Sequence, residues 1–212
     1  MIYVLRMARP ALTAVEVRQT REQLLDAAQE LYEAAGLEAM SFRSIAKAAE
    51  CSHSKPYSYF ENKAALVDAL RVRSYEWLRD LLVVASSEHE NPLEALMGLA
   101  VAYVDAGRSR PRMYALLYAA EAGSVRETEP SLMRAKLDAI GVCESVIEAA
   151  AQAGFVTLRY DVATTAHLFW MAAHGLVSLD NGGFLVVGRT VEDLIVPLFD
   201  SVRIGALEEA PR

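Results

Sequence analysis

Between Asp161 and Asp180 the sequence reads VATTAHLFWMAAHGLVSL, apolar nearly all the way round any helix drawn through it. A helix with one apolar stripe can lie on a surface, whereas one apolar on every side must be covered on more than one. That single segment calls for a multi-helix bundle, and the rest of the chain agrees. Nearly every segment shows three-and-four apolar spacing, and no strand-like alternation runs longer than a few residues. The spacing predicts a first helix over 18–35 stopped by Gly36, and a short one capped by Ser41. A long helix should run from Lys63 to about Ser86 behind an Asn62 cap, and another from Asn91–Pro92 to about Gly107. Pro111 opens a helix expected to end at Gly123, followed by a surface loop, GSVRETEP. Pro130 or Ser131 opens one closed by Gly154. Asp161 caps the apolar segment, and Thr190 starts a last helix that Pro197 should kink. The expected fold class is all-α, with about nine helices.

Composition narrows the class further. With 53% hydrophobic residues in 212, the chain can bury a sizeable core. Cys51 and Cys143 stand far apart with no metal-type spacing, as expected of small thiols in a reduced cytoplasmic protein. The apolar run at the start is too short for a signal peptide, and either Met1 or Met7 can serve as the start. No run is continuously apolar for the eighteen or so residues a spanning helix needs, so no membrane segment is expected. Residues 1–63 carry eight Lys/Arg and eight Asp/Glu, so the whole net charge of −7 lies beyond them. Any nucleic-acid contact must therefore rest on a few placed cations and not on bulk charge.

One stretch fits none of the helix templates. AECSHSKPYSYFENK, Ala49–Lys63, has no apolar period and packs two tyrosines, two lysines and three serines around a proline. Preceded by an amphipathic helix and a short capped one, it reads as the second helix of a helix-turn-helix unit. Its apolar content is poor because one face is meant for DNA. Ser52 is the expected cap, and His53, Ser54 and Lys55 form the N-terminal turn that reaches base edges. Tyr57 and Tyr59 have hydroxyls long enough to reach phosphates. Phe60 is left to anchor the segment. The head is expected over residues 1–62 and the larger helical bundle over 63–212.

The 47 residues TREQLLDAAQELYEAAGLEAMSFRSIAKAAECSHSKPYSYFENKAAL resemble the DNA-binding domain of TetR-type transcriptional regulators. The resemblance rests on the Thr-Arg start, the AA-x-x-L helix, the Gly36 stop, the capped IA-x-x-A helix, the Tyr-x-x-Phe end and the Asn-Lys after it. It implies phosphate contacts from Thr20, Arg21, Ser41, Tyr57 and Lys63, all but Tyr57 at helix starts where N–H groups point outward. It implies base-edge contacts from Arg43, Ser44, His53, Ser54 and Lys55. The chain departs from the family at Glu50 (usually the turn glycine), Ser54 (glycine), Pro56 (leucine) and Tyr59 (histidine). FWMAAHGLVSL resembles a subset of the family with a Trp-x-x-x-His-Gly pattern. This implies a homodimer through the last two long helices, with recognition helices about 34–36 Å apart on operator DNA.

The same resemblance implies a small-molecule effector, apolar or aromatic, within the bundle. Candidates to line its site are Tyr103, Met113, Tyr114, Leu117, His167, Phe169, Trp170, Met171 and His174. His167 and His174 are two helical turns apart, but no cysteine or Glu-x-x-His pattern joins them, so neither metal nor cofactor is expected. No nucleophile triad or glycine-rich phosphate loop appears, which leaves no catalytic residue to name. The expectation is a ligand-released repressor. The alternatives are an all-helical small-molecule-binding or enzymatic bundle without DNA binding, and a regulator whose partner is another protein.

Overall fold

A computed structural model describes residues 13–118, 129–186 and 188–209. Among them are eight α-helices, two single 3-10 turns and one two-stranded sheet. The chain divides into two compact units, Met1–Leu70 and Arg71–Arg212.

The first unit opens with α1 (Ala14–Ala35), which starts a full turn earlier than the apolar spacing predicts. The reason is a capping box: Thr13 Oγ1 accepts from the Glu16 amide at 3.2 Å, and the Glu16 carboxylate accepts from the Thr13 amide at 2.8 Å. Those hydrogen bonds hold the Glu16 carboxyl below its ordinary range. Gly36, at φ 76°, ends the helix as expected. A 3-10 turn, Leu37–Ala39, leads to α2 (Phe42–Ala48), which Ser41 caps. The core of this unit gathers Leu24, Leu25, Ala28, Ile45, Ala46 and Phe60, all buried, with Leu66 and Leu70 of α3 (Lys63–Ser87). Asn62 caps α3 through its side chain, 2.9 Å from the Ala65 amide.

The second unit continues α3 and adds α4 (Pro92–Ser109), α5 (Pro111–Tyr118), α6 (Pro130–Gln152), α7 (Val162–Asn181) and α8 (Val191–Ala206). Asn91, Asp161 and Thr190 cap α4, α7 and α8, as the sequence leads one to expect. The expected Gly123 stop and most of the GSVRETEP loop lie outside the described residues. Around α7 pack α4, α6 and α8. Val177 of α7 lies so close to Gly107 of α4 that a β-carbon there would meet its Cγ1 at 2.5 Å. Arg108 ties the same region together, donating to Asp180 at 2.9 Å and Glu192 at 2.7 Å.

A short sheet accompanies the helices, and one expectation is corrected here. Val156–Leu158 (β1) pairs antiparallel with Leu207–Glu209 (β2), a sheet too short for any alternation to announce it. And α7, twenty residues long, does reach membrane-spanning length and apolarity by composition alone. In the bundle its Phe169, Ala173, Leu176 and Val177 are buried among the other helices.

Candidate nucleic-acid and effector sites

The segment from Ser52 to Phe60 is a turn followed by a 3-10 turn, Pro56–Ser58, and not the regular helix the sequence reading expects. Pro56 is the physical reason, since it has no N–H to donate back to Ser52. The bonds that form are mostly of the tighter kind: Lys55 to Ser52 at 2.9 Å, Ser58 to Lys55 at 3.0 Å and Tyr59 to Pro56 at 3.1 Å. Ser52 is no cap either; its hydroxyl meets only that of Ser54, at 3.4 Å. Pro56 and Phe60 are buried and fix the segment to the unit.

The turn before it is strained. Glu50 is the one non-glycine with positive φ, 50°, among the described residues. The bonds Glu50 N to Lys47 O (3.3 Å) and Cys51 N to Ala46 O (2.9 Å) form a Schellman ending to α2. That ending wants a left-handed residue, where a side chain costs about 1–2 kcal/mol.

Of the expected contact residues, Arg43, His53, Ser54 and Tyr57 are exposed, and Lys55 and Tyr59 half-buried. Tyr57 leaves 66% of its surface open while its ring packs edge-on against Phe42, centroids 4.6 Å apart. Its hydroxyl is thus presented on a braced ring. Arg21 lies over the Phe60 ring at 5.2 Å, which brings its cation beside the end of the Ser52–Phe60 segment. Thr20 and Arg21 lie in the second turn of α1, not at its start, because the Thr13 cap moves the start back; no free helix N–H groups stand there. Ser41 and Ser44 bind each other's amides, and the Ser44 hydroxyl also donates to Ala39 O at 2.7 Å, so Ser44 is committed to the cap. Lys63 donates to the Leu37 carbonyl at 2.6 Å and remains exposed.

In the second unit a cavity of about 640 Å³ opens among α3, α4, α5, α6, α7 and α8. Tyr103, Leu117, His167, Phe169 and Trp170 line it, as expected. Met113, Tyr114, Met171 and His174 do not. Met171 is 52% exposed on the outer side of α7, because an all-round apolar helix does not say which side faces the cavity. Met113 and Tyr114 are buried. The lining residues that sequence reasoning missed include Arg71, Tyr75, Tyr118, Lys136, Cys143 and Glu144. Arg71 and Tyr75 sit at one-turn spacing on α3, a signal that was present in the sequence.

A polar aromatic cluster forms part of the wall and continues behind it. Trp170 Nε1 donates to the hydroxyls of Tyr103 (3.2 Å) and Tyr118 (3.1 Å). Those two hydroxyls are 2.5 Å apart, and Tyr103 meets Tyr114 at 3.4 Å. Tyr114 in turn meets Nδ1 of His174 at 2.5 Å. Burial raises the Tyr75, Tyr103 and Tyr114 phenols above their ordinary range and Tyr118 to about 12. It also pushes the Cys143 thiol up to about 12 and lowers His174. The cavity wall therefore presents neutral tyrosine hydroxyls and a neutral thiol.

A capped two-helix head with an outward polar turn, joined to a hollow helical bundle, defines a helix-turn-helix regulator. The model for bacterial regulatory proteins of the TetR family matches residues 24–70, and that for the tetracyclin repressor-like C-terminal domain matches residues 96–202. The chain belongs to the TetR family of DNA-binding transcriptional regulators. Solved structures share the fold. A protein of unknown function from Rhodococcus sp. RHA1 is 23% identical with TM-score 0.78, over 96% of this chain and all of that one. A TetR family transcription regulator from Marinobacter aquaeolei VT8 is 19% identical with TM-score 0.68, over 93% and 100%. The transcriptional regulator FadR from Bacillus subtilis, in complex with stearoyl-CoA, is 15% identical with TM-score 0.69, over 85% and 96%. No curated protein sequence matches the chain.

Proposed function

We propose that the protein is a ligand-released repressor that works in the cytoplasm as a homodimer on double-stranded operator DNA, acting by binding and not by catalysis. The DNA head is assigned to residues 1–62 and the effector and dimer half to 63–212. The observation that carries the reading is the outward polar set of the first unit, with Arg43 on α2 and His53 and Tyr57 on the turn after it presented to solvent, in a chain whose second unit is hollow. Lys55, Ser54 and His53 are assigned to base edges. Tyr57, Tyr59, Ser41, Lys63, Thr20 and Arg21 are assigned to phosphates, with Arg43 at the boundary and Ser44 a positioning residue.

The effector is assigned to the cavity, whose size suits a drug-sized molecule. Release needs only that the effector bind the DNA-incompetent state better, by a coupling of about 1–3 kcal/mol. The dimer surface is assigned to α7 and α8, which together expose Met171, Leu179 (47%), Val196 (51%) and Ile204 (61%). Such a set is unusual on a lone protein surface and suits a two-fold partner.

Fluorescence anisotropy with promoter-derived duplexes tests the reading. Affinity for the preferred duplex should fall linearly on a log–log plot against salt, in proportion to the phosphate contacts made. Lys55→Ala should change which duplex is preferred. Binding with no sequence preference even at low salt would remove the DNA-reading assignment.

A further inference from the structure

Where Tyr103, Tyr118 and Trp170 meet, the cavity wall holds one more hydroxyl proton than it has close acceptors. Trp170 Nε1 donates to both hydroxyl oxygens, at 3.2 Å and 3.1 Å. Each tyrosine has a single proton, so across their 2.5 Å contact one hydroxyl donates and the other accepts. When Tyr118 donates, the Tyr103 proton is left with only the long 3.4 Å contact to Tyr114. When Tyr103 donates, the Tyr118 proton meets no acceptor among the described residues. The count is the same whichever of Tyr114 and His174 holds the proton between them, because neither hydroxyl of the pair bonds that imidazole.

All three side chains line the cavity, and of the two tyrosines Tyr103 is buried while Tyr118 keeps part of its surface open. The Tyr118 proton is thus the one within reach of a bound molecule. Tyr75, which also lines the cavity, has no proton to spare, since its hydroxyl donates to the Leu117 carbonyl at 3.0 Å. Arg71 Nη2 donates to that same oxygen at 3.3 Å. Most of the remaining wall is apolar, with Leu78, Leu82, Leu96, Leu99 and Phe199 among its members. An ion taken into such a place loses its hydration, and one neutral hydroxyl does not replace it. A carbonyl oxygen gives up far less, and a single donor satisfies it.

We propose that the cavity takes an uncharged, mainly apolar molecule that carries a carbonyl-type hydrogen-bond acceptor. Its oxygen accepts the Tyr118 proton, Tyr103 then donates to Tyr118, and Trp170 holds both hydroxyls in register. The apolar body lies against the leucines and Phe199. A molecule of the same shape without the oxygen would fill the cavity but leave the spare proton unanswered, which is the source of the selectivity. This inference rests on the cavity being the effector site.

Displacement of the fluorescent apolar dye N-phenylnaphthylamine from the full-length protein tests it, with three competitors of one shape. These are β-acetylnaphthalene, β-isopropenylnaphthalene, which has a methylene in place of the oxygen, and β-naphthoate, which has a carboxylate. The ketone should displace the dye at a concentration about three- to tenfold lower than the alkene, the worth of one net hydrogen bond. The naphthoate should be weakest. Tyr118→Phe keeps the ring and should bring the ketone level with the alkene while leaving the alkene itself unchanged. Should that variant not fold, the order of the three competitors on the wild type decides the question. An alkene that matches the ketone, a naphthoate that outcompetes it, a preference that survives Tyr118→Phe, or a bound dye that no competitor displaces would overturn the acceptor assignment alone. A dye that does not bind at all would overturn the effector-cavity reading itself, and this one with it.

Discussion

The polar turn of the first unit and the aromatic cluster of the second are built from the same residue types and treat them in opposite ways. At Ser52–Tyr59, tyrosine, serine and histidine side chains face outward on a tight backbone that follows the strained turn at Glu50. At Tyr103, Tyr114, Tyr118, Trp170 and His174, the same kinds of polar group face each other, and each finds a partner. Polar side chains left open at a surface cost the fold little and are available to a ligand. Polar side chains taken into a core must be paired, and the pairing limits what a ligand can be.

Conservative substitutions at the two places should separate these roles. Tyr103→Phe removes the hydroxyl that Trp170 and Tyr118 both use, and should lower unfolding free energy by about 1–3 kcal/mol in urea titration. Tyr57→Phe keeps the packing on Phe42, so stability should move by less than about 0.5 kcal/mol. Its effect should appear as a loss of about 0.5–1.5 kcal/mol of DNA affinity, similar for every sequence. Equal stability losses for the two variants would erase the contrast.

Strain sharpens the same comparison. The ends of α6 and α7 repeat the Schellman pattern of α2, but with Gly154 (φ 74°) and Gly183 (φ 68°) where α2 has Glu50. Glu50→Gly should therefore stabilise the first unit by about 0.5–1 kcal/mol, the left-handed cost less the extra entropy of glycine. No gain on thermal or urea unfolding would mean the turn is not strained.

The smallest effect concerns pH. Burial lowers the His174 pKa, so the unfolded chain takes up a proton more readily than the folded one. Stability should be full above the ordinary histidine pKa of about 6.5 and decline as pH falls through the depressed folded value. His174→Asn should flatten that decline relative to wild type. An unchanged acid limb would assign it to carboxylates instead.

Much of this was legible in the sequence because caps are local. Ser41, Asn62, Asn91, Asp161 and Thr190 each announce a helix start within four residues. The same rule applied to Thr13-x-x-Glu16 would have found the true start of α1, and with it the displacement of Thr20 from the helix end. Long-range features were less legible. The β1–β2 pair joins segments some fifty residues apart, and nothing in three residues fixes such a partner. The cavity lining mixes residues from six helices, so spacing identified Tyr103 and Trp170 but gave no way to choose Tyr118 over Met171. Pro56 was visible, yet its consequence, a 3-10 turn where a helix was expected, depends on which amides have an acceptor in reach.

The claim that organises all of this is that Ser52–Tyr59 reads DNA. Selection of binding sites by the full-length protein from a random duplex pool tests it most directly, run in parallel with Lys55→Ala. The account predicts enrichment of an inverted repeat by the wild type and a changed consensus for the variant. A pool left unenriched, or an identical consensus from both proteins, would contradict it.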